Sequence, residues 1–246
     1  MKRILILLMA TVPMFATTSF DASSLLTQTT ADQLAAWLGE GDLSLTRIYA
    51  ATSPTDWTAF HAAADGQGRT FTVMQALTCT FDISCILSDA IIGGYNPQSW
   101  VSFGGYNIVP LDSDRTAFIF NLTEARIARE MLADGEFGRG SYQTYNSVLN
   151  GPGFGVIDIN LGANNVDGYT YAFDDSYEPG FRLGTSIAGA NASLLQYSSS
   201  FTLGTIEVFT IADVATPEPS SALLLGGALI ALLASRRRRK ATAPIS

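Results

Sequence analysis

The sequence predicts a mainly β fold with small helices, held in one domain over residues 31–212. Three observations predict it. Runs rich in β-branched and aromatic residues recur along the chain, with glycine and serine between them. Helix-capping patterns concentrate near the N-terminal end of the domain. No internal repeat is found, and the roughly 190 residues between the two chain ends are enough for one core.

The elements follow in order. Lys2 and Arg3 precede the apolar run Ile4–Ala10, and small residues follow at Ala16, Thr17, Thr18 and Ser19. Charge, apolar run and small residues in this order make a secretory signal peptide. It is assigned to residues 1–22, with cleavage between about Ala16 and Ala22. Thr30-Ala31-Asp32-Gln33 has the form of a capping box, with Leu34, Trp37 and Leu38 at helical spacing and a stop at Gly39. A second short helix is expected from Ser53, with Pro54 at its first position and Trp57, Phe60, His61 and Ala64 on one face. "RTFTVMQAL" and "AIIGGY" read as a hairpin, "TAFIF" as a strand and "GVIDINL" as a half-buried strand. "GTIEVFTI" reads as a last strand. "LTEARIAREML" fits either a surface helix or a strand pair.

Residues 213–246 form a tail. Pro217-Glu218-Pro219 is followed by an uncharged run from Ala222 to Ala234, then Arg236, Arg237, Arg238, Arg239 and Lys240. As a helix the run reaches about 20 Å, short of a hydrocarbon core of about 30 Å. A basic block beside an apolar run suits a membrane boundary with the charges in the cytoplasm. A short transmembrane helix is therefore expected over 220–235. In order and spacing the tail resembles the PEP-CTERM sorting signal of Gram-negative bacteria. That resemblance implies recognition by a membrane-embedded exosortase, transient anchoring, cleavage near Pro217–Pro219, and delivery to the cell surface or extracellular matrix.

Five segments of the body resemble the TLDc domain. They are "LTRIYAATSPTDWTAFHAAADGQGRTFTVMQA", "IIGGYNPQSW", "DRTAFIFNL", "GPGFG" and "IEVF". The resemblance implies a two-sheet antiparallel β-sandwich flanked by short helices. The family often continues its Gly-Pro turn into Phe-Gly-Gly-Gly-His-Asp. Here Phe154-Gly155 runs into Val156-Ile157-Asp158 with no histidine, so no role of that histidine carries over. A shared fold does not transfer an activity.

Composition narrows the chemistry. Without its two ends the chain has no lysine, and seven arginines face about twenty acids. Nucleic acid is not a partner for such a surface, because phosphate binding rests on clustered Lys and Arg. Cys79 and Cys85 are the only cysteines, and an even pair in an exported chain reads as a disulfide. His61 is the only histidine; no G-x-S-x-G elbow accompanies it, and it reads as structural. Asp158, Asp174, Asp175, Glu178 and Glu207 could supply an acid pair, though surface charge is the plainer reading. Asn164, Asn165, Asp167, Asp174, Asp175 and Glu178 carry oxygens of the calcium-binding type, but not at EF-hand spacing. Tyr95, Trp100, Phe103 and Tyr106 could form a carbohydrate-binding surface or pack inside. The expectation is a non-catalytic surface or matrix module without cofactor or metal, meeting an exopolysaccharide or envelope protein. The rival is an exported hydrolase using His61 or a carboxylate pair.

Overall fold

The computed structural model describes residues 17–54, 56–79, 90–132, 140–156, 158–162, 167–170, 177 and 199–214. The chain divides into two units, residues 1–213 and 214–246. In chain order the elements of the first are β1 (Ser19–Phe20), α1 (Gln28–Leu38), β2 (Leu43–Thr52), α2 (Thr58–Ala64), β3 (Thr70–Cys79), β4 (Ala90–Asn96) and β5 (Gly105–Ile108). There follow β6 (Phe118–Asn121), β7 (Arg126–Arg129), β8 (Tyr142–Asn146), β9 (Gly153–Phe154), β10 (Asn160–Leu161), β11 (Asp167–Thr170) and β12 (Ser199–Asp213). The fold is mainly β with two small helices, and two sheets form a β-sandwich, as the sequence predicts.

The large sheet has the order β1-β2-β12-β3-β4-β6-β7, with the β10–β11 pair joined to the first residues of β12. The small sheet has the order β5-β8-β9. Strand pairings are antiparallel except for β1 on β2. The long β12 is hydrogen-bonded to β2 and to β3 and forms the spine of the large sheet.

Strand alternation sorts the core onto two faces. On one face Phe71, Val73, Tyr95, Phe118, Phe120, Phe209 and Ile211 pack under α1, through Leu34 and Ala35. On the other, Met74, Ile92, Ile119, Ile206 and Val208 pack against Phe60 of α2, Trp100 and Phe154. Each aromatic ring fully withdrawn from water contributes about 1.5–3 kcal/mol, so the two layers are the main source of stability. Burial on both faces is seen in "TFTVM", where Phe71, Val73 and Met74 and also the polar Thr70 and Thr72 are fully buried. Gly93 and Gly94 leave room for neighbouring rings: an added Cβ would fall 2.7 Å from the Phe120 ring of the adjacent β6 at Gly93 and 2.5 Å from the Phe154 ring of the small sheet at Gly94.

Several elements differ from expectation. Helix α1 begins earlier, capped by Thr27, and Thr30 is the N3 partner rather than the cap. Thr27 Oγ1 accepts from the Thr30 N–H and Thr30 Oγ1 from the Thr27 N–H, so the two hydroxyls close the box one turn earlier. Gly39 does end the helix, with φ of 79° in the left-handed region. Helix α2 starts at Thr58 rather than Ser53, because Thr52 still pairs with Thr205 and Ser53 donates its N–H to the Gly204 carbonyl. "GVIDINL" is not one strand. Gly155, at φ of 66°, turns the chain, so Phe154 and Ile159 pair back on each other and only Asn160–Leu161 is a strand. Within "LTEARIAREML", Arg126–Arg129 is a strand beside β6.

The N-terminal end of the body also lies earlier than the sequence places it. Thr18 is buried, Ser19–Phe20 pair with Ser44–Leu45, and Leu25 and Leu26 enter the core under α1. Residues 18–22, read as leader, are thus packed parts of the fold. Cys79 ends β3 opposite Phe201, and Cys85 lies outside the described residues, so the expected pairing falls outside them too. The sorting residues Pro217, Glu218, Pro219 and Arg236–Arg239 also lie outside them, as does the apolar run 220–235. Among the described residues no helix is long and apolar enough to cross a membrane.

Candidate functional site

His61 sits on α2 with its ring against Phe60, centroids 4.8 Å apart, and is buried. Its Nδ1 lies 2.9 Å from Asp65 Oδ1. Its Nε2 lies 2.9 Å from the Ser147 carbonyl oxygen and 3.0 Å from that of Asn150. Both ring nitrogens are therefore held inside the protein. The other oxygen of Asp65 accepts from the Ser102 hydroxyl. This order, serine–acid–histidine, is not that of a nucleophilic triad, which needs the imidazole between the other two. The arrangement ties α2 to the 147–150 turn and to the loop after β4.

The candidate acids do not converge. Glu207, on β12 under the α1 layer, is buried and accepts from the Ser24 N–H at 3.0 Å, the Ser24 hydroxyl at 3.1 Å, Arg47 Nη1 at 3.0 Å and the Ser23 hydroxyl. It is the anchor of the N-terminal segment, with its acceptor capacity taken up by these donors. Asp158 is buried in the turn between Phe154 and Ile159, on the small-sheet side. Asp174, Asp175, Glu178, Asn164 and Asn165 lie outside the described residues, so a calcium loop there is a matter of sequence alone. Among the described residues no group of three or more His, Cys, Asp or Glu side chains is placed to hold a metal.

A buried polar network was not foreseen. Gln143 of β8 is its hub: Nε2 donates to Glu130 Oε2 at 3.2 Å, and Oε1 accepts from Asn107 Nδ2 at 3.0 Å. The Gln143 carbonyl accepts from the Tyr177 hydroxyl at 2.7 Å and the Gly155 N–H at 3.0 Å. Glu130 is 2% exposed, and among the described residues its Oε1 has no hydrogen-bond partner. Burial pushes its carboxyl up to about 7, against the opposing pull of Gln143, Arg115 and the Ala117 backbone. Burial, then Glu130 and Asp158, also push the Tyr177 phenol well above its usual range. In the sequence Glu130 is one charge among several in "EARIARE", and nothing local marks it as buried.

The aromatic candidates divide. Tyr95 and Trp100 are core residues, and Trp100 Nε1 donates to Thr70 Oγ1 at 2.9 Å. Phe103 is 78% exposed, and Tyr106 lies on the outer face of β5 with its ring 4.8 Å from Tyr145 and 5.0 Å from Tyr142. Exposed Ile108 shares that strand. Among the described residues β5 is an edge strand of the small sheet, so its aromatic face lies at that edge.

Residues 215–239 match the family model of the PEP-CTERM protein-sorting motif. No curated protein matches the chain. The motif defines an exported bacterial protein addressed to an exosortase and to the cell surface.

Proposed function

We propose that this chain is a non-catalytic β-sandwich module displayed at the cell surface or in the extracellular matrix, anchored transiently by its C-terminal helix and released or transferred when exosortase cuts near Pro217–Pro219. The single observation that carries the location is the sorting motif at 215–239. The closed arrangement of His61 supports the non-catalytic reading over the hydrolase, since both ring nitrogens are already engaged. The TLDc likeness stays part of the proposal: its segments fall on β3, β4, β6, β9 and β12, the strands that build the two faces. A Cys79–Cys85 bond belongs to the same reading of an exported chain.

The ligand class we assign is a neutral exopolysaccharide, held by the Phe103–Tyr106 patch. Exposed rings offer flat apolar faces with a phenol at the edge, and a lysine-free acidic body disfavours anionic polymers. In a binding assay on neutral and acidic host polysaccharides, the mature protein should retain a neutral one. The double variant Phe103→Ala, Tyr106→Ala should bind at least about tenfold more weakly, the equivalent of about 1.4 kcal/mol. Unchanged binding by the double variant, or capture of an envelope protein alone, removes the polysaccharide assignment.

A further inference from the structure

We infer that signal peptidase cuts this chain between Ala16 and Thr17, and that the new N-terminus is a structural part of the mature fold. The inference rests on reading the first 16 residues as a leader, and it sharpens a window that extends to Ala22. Thr18 to Asp21, the positions that follow Thr17 in that window, are each in use. Thr18 is 3% exposed, its N–H donates to Asp32 Oδ1 at 3.0 Å, and its carbonyl accepts from Gln28 Nε2 at 2.8 Å. Ser19 and Phe20 pair with β2, and the Asp21 N–H donates to the Leu45 carbonyl at 3.0 Å. Asp21 Oδ2 in turn accepts from the Arg47 N–H at 2.8 Å. Ser23 and Ser24 then close on Glu207. A cut after any of Thr18 to Ala22 would remove one or more of these contacts, and a cut after Phe20 or beyond would also expose the edge of β2.

Thr17 is the last exposed residue before the buried Thr18, and Ala16 supplies the small side chain the peptidase needs just before the bond. Met14 stands where a second small residue is usual, so Ala16 carries the site. Hydrolysis adds one water to the Ala16–Thr17 peptide bond. The leader leaves with the Ala16 carboxylate, and the body keeps the Thr17 α-ammonium. That charge forms one residue from the Asp32 carboxylate, beside a cavity of about 310 Å³ lined by Thr18, Asp32, Ala35, Gly39 and Asp42.

The registers also place the two ends of the body. Ser44 pairs with Ser19 on one side and with Ala212 on the other, and Asp213 pairs with Leu43. Thr17 and the end of β12 therefore leave the same end of the sheet, two strand spacings or about 10 Å apart. This geometry is compatible with a body held at both ends by membrane-inserted segments while β1 is docked.

N-terminal sequencing of the full chain, expressed and exported in a host with active secretion, tests the inference. The expected first residues are Thr17-Thr18-Ser19-Phe20. A first residue between Thr18 and Ser23 overturns the inference while leaving the leader reading intact. A chain that keeps Met1 overturns both. In Ala16→Leu, where a bulky side chain precedes the bond, the Thr17 terminus should fall at least tenfold and the uncut chain accumulate; unchanged cutting at Thr17 would also overturn it.

Discussion

Gly93→Ala should destabilise the mature protein by at least about 3 kcal/mol, a large share of the 5–15 kcal/mol that holds a domain together. Gly93 lies mid-strand in β4, between β3 and β6. Its added Cβ would fall 1.9 Å from the Thr72 carbonyl oxygen and 2.7 Å from the Phe120 ring. The first contact is with backbone fixed by the β3–β4 ladder, so relief requires parting two central strands. Phe120 is fully buried and cannot turn outward. Gly39→Ala is the contrast: that glycine has φ of 79° but open space around its Cβ position, so only local strain of about 1 kcal/mol is expected. Urea unfolding midpoints measure both. If the two variants lose equal stability, the close packing at Gly93 is not what the fold depends on.

The second large effect is a loss of stability as pH rises through the window from about 4.5 to about 7. The Glu130 carboxyl has an ordinary value of 4.5 and is raised to about 7 in the folded protein. Across that window the folded state holds a proton that the unfolded chain has released. Binding more protons when folded means stability falls with pH; below the window Glu130 is protonated in both states and imposes no penalty. A shift of this size amounts to about 3 kcal/mol. Glu130→Gln keeps the shape and removes the charge, so it should be more stable than the parent near pH 8 by about that amount and equal to it near pH 4. The difference between the two unfolding curves isolates Glu130 from the other carboxylates. A difference that does not change with pH would show that the Glu130 carboxyl is not raised by its burial.

Much of the sandwich is legible in the sequence because its signals are local. The β3–β4 hairpin, β6 and the core of β12 are dense β-branched or aromatic runs, and Gly39 stops α1 through its own backbone freedom. The misread elements depend on partners far along the chain. Strand β1 is two residues long and exists because β2, Arg47 and Glu207 receive the N-terminal segment, which no local pattern reveals. "GVIDINL" alternates well, but the left-handed Gly155 breaks it into a turn that brings Ile159 back onto Phe154.

The candidate site shows the same division. The sequence reads His61 as structural with a catalytic rival, and the partners that hold its Nε2, Ser147 and Asn150, lie more than eighty residues away. Four aromatics in "GGYNPQSWVSFGGY" look alike in the sequence, yet Tyr95 and Trp100 close the core while Phe103 and Tyr106 reach solvent. Glu130 and Gln143 look like ordinary polar strand residues and become a buried pair only when β8 folds beside the end of β7. The sorting tail, by contrast, is read in full from the sequence. Its recognition depends on linear order, Pro-Glu-Pro, apolar run and basic block, and not on a fold.

The central claim is that this body is delivered outside the cell and parted from its tail. Intact mass spectrometry of the protein from a host with an active exosortase tests it most directly. The mature chain should end near Pro219, without the apolar run and Arg236–Lys240, and Glu218→Ala should leave the longer precursor in the membrane fraction. A mature mass that still extends to Ser246 would contradict the account and make the tail a permanent anchor.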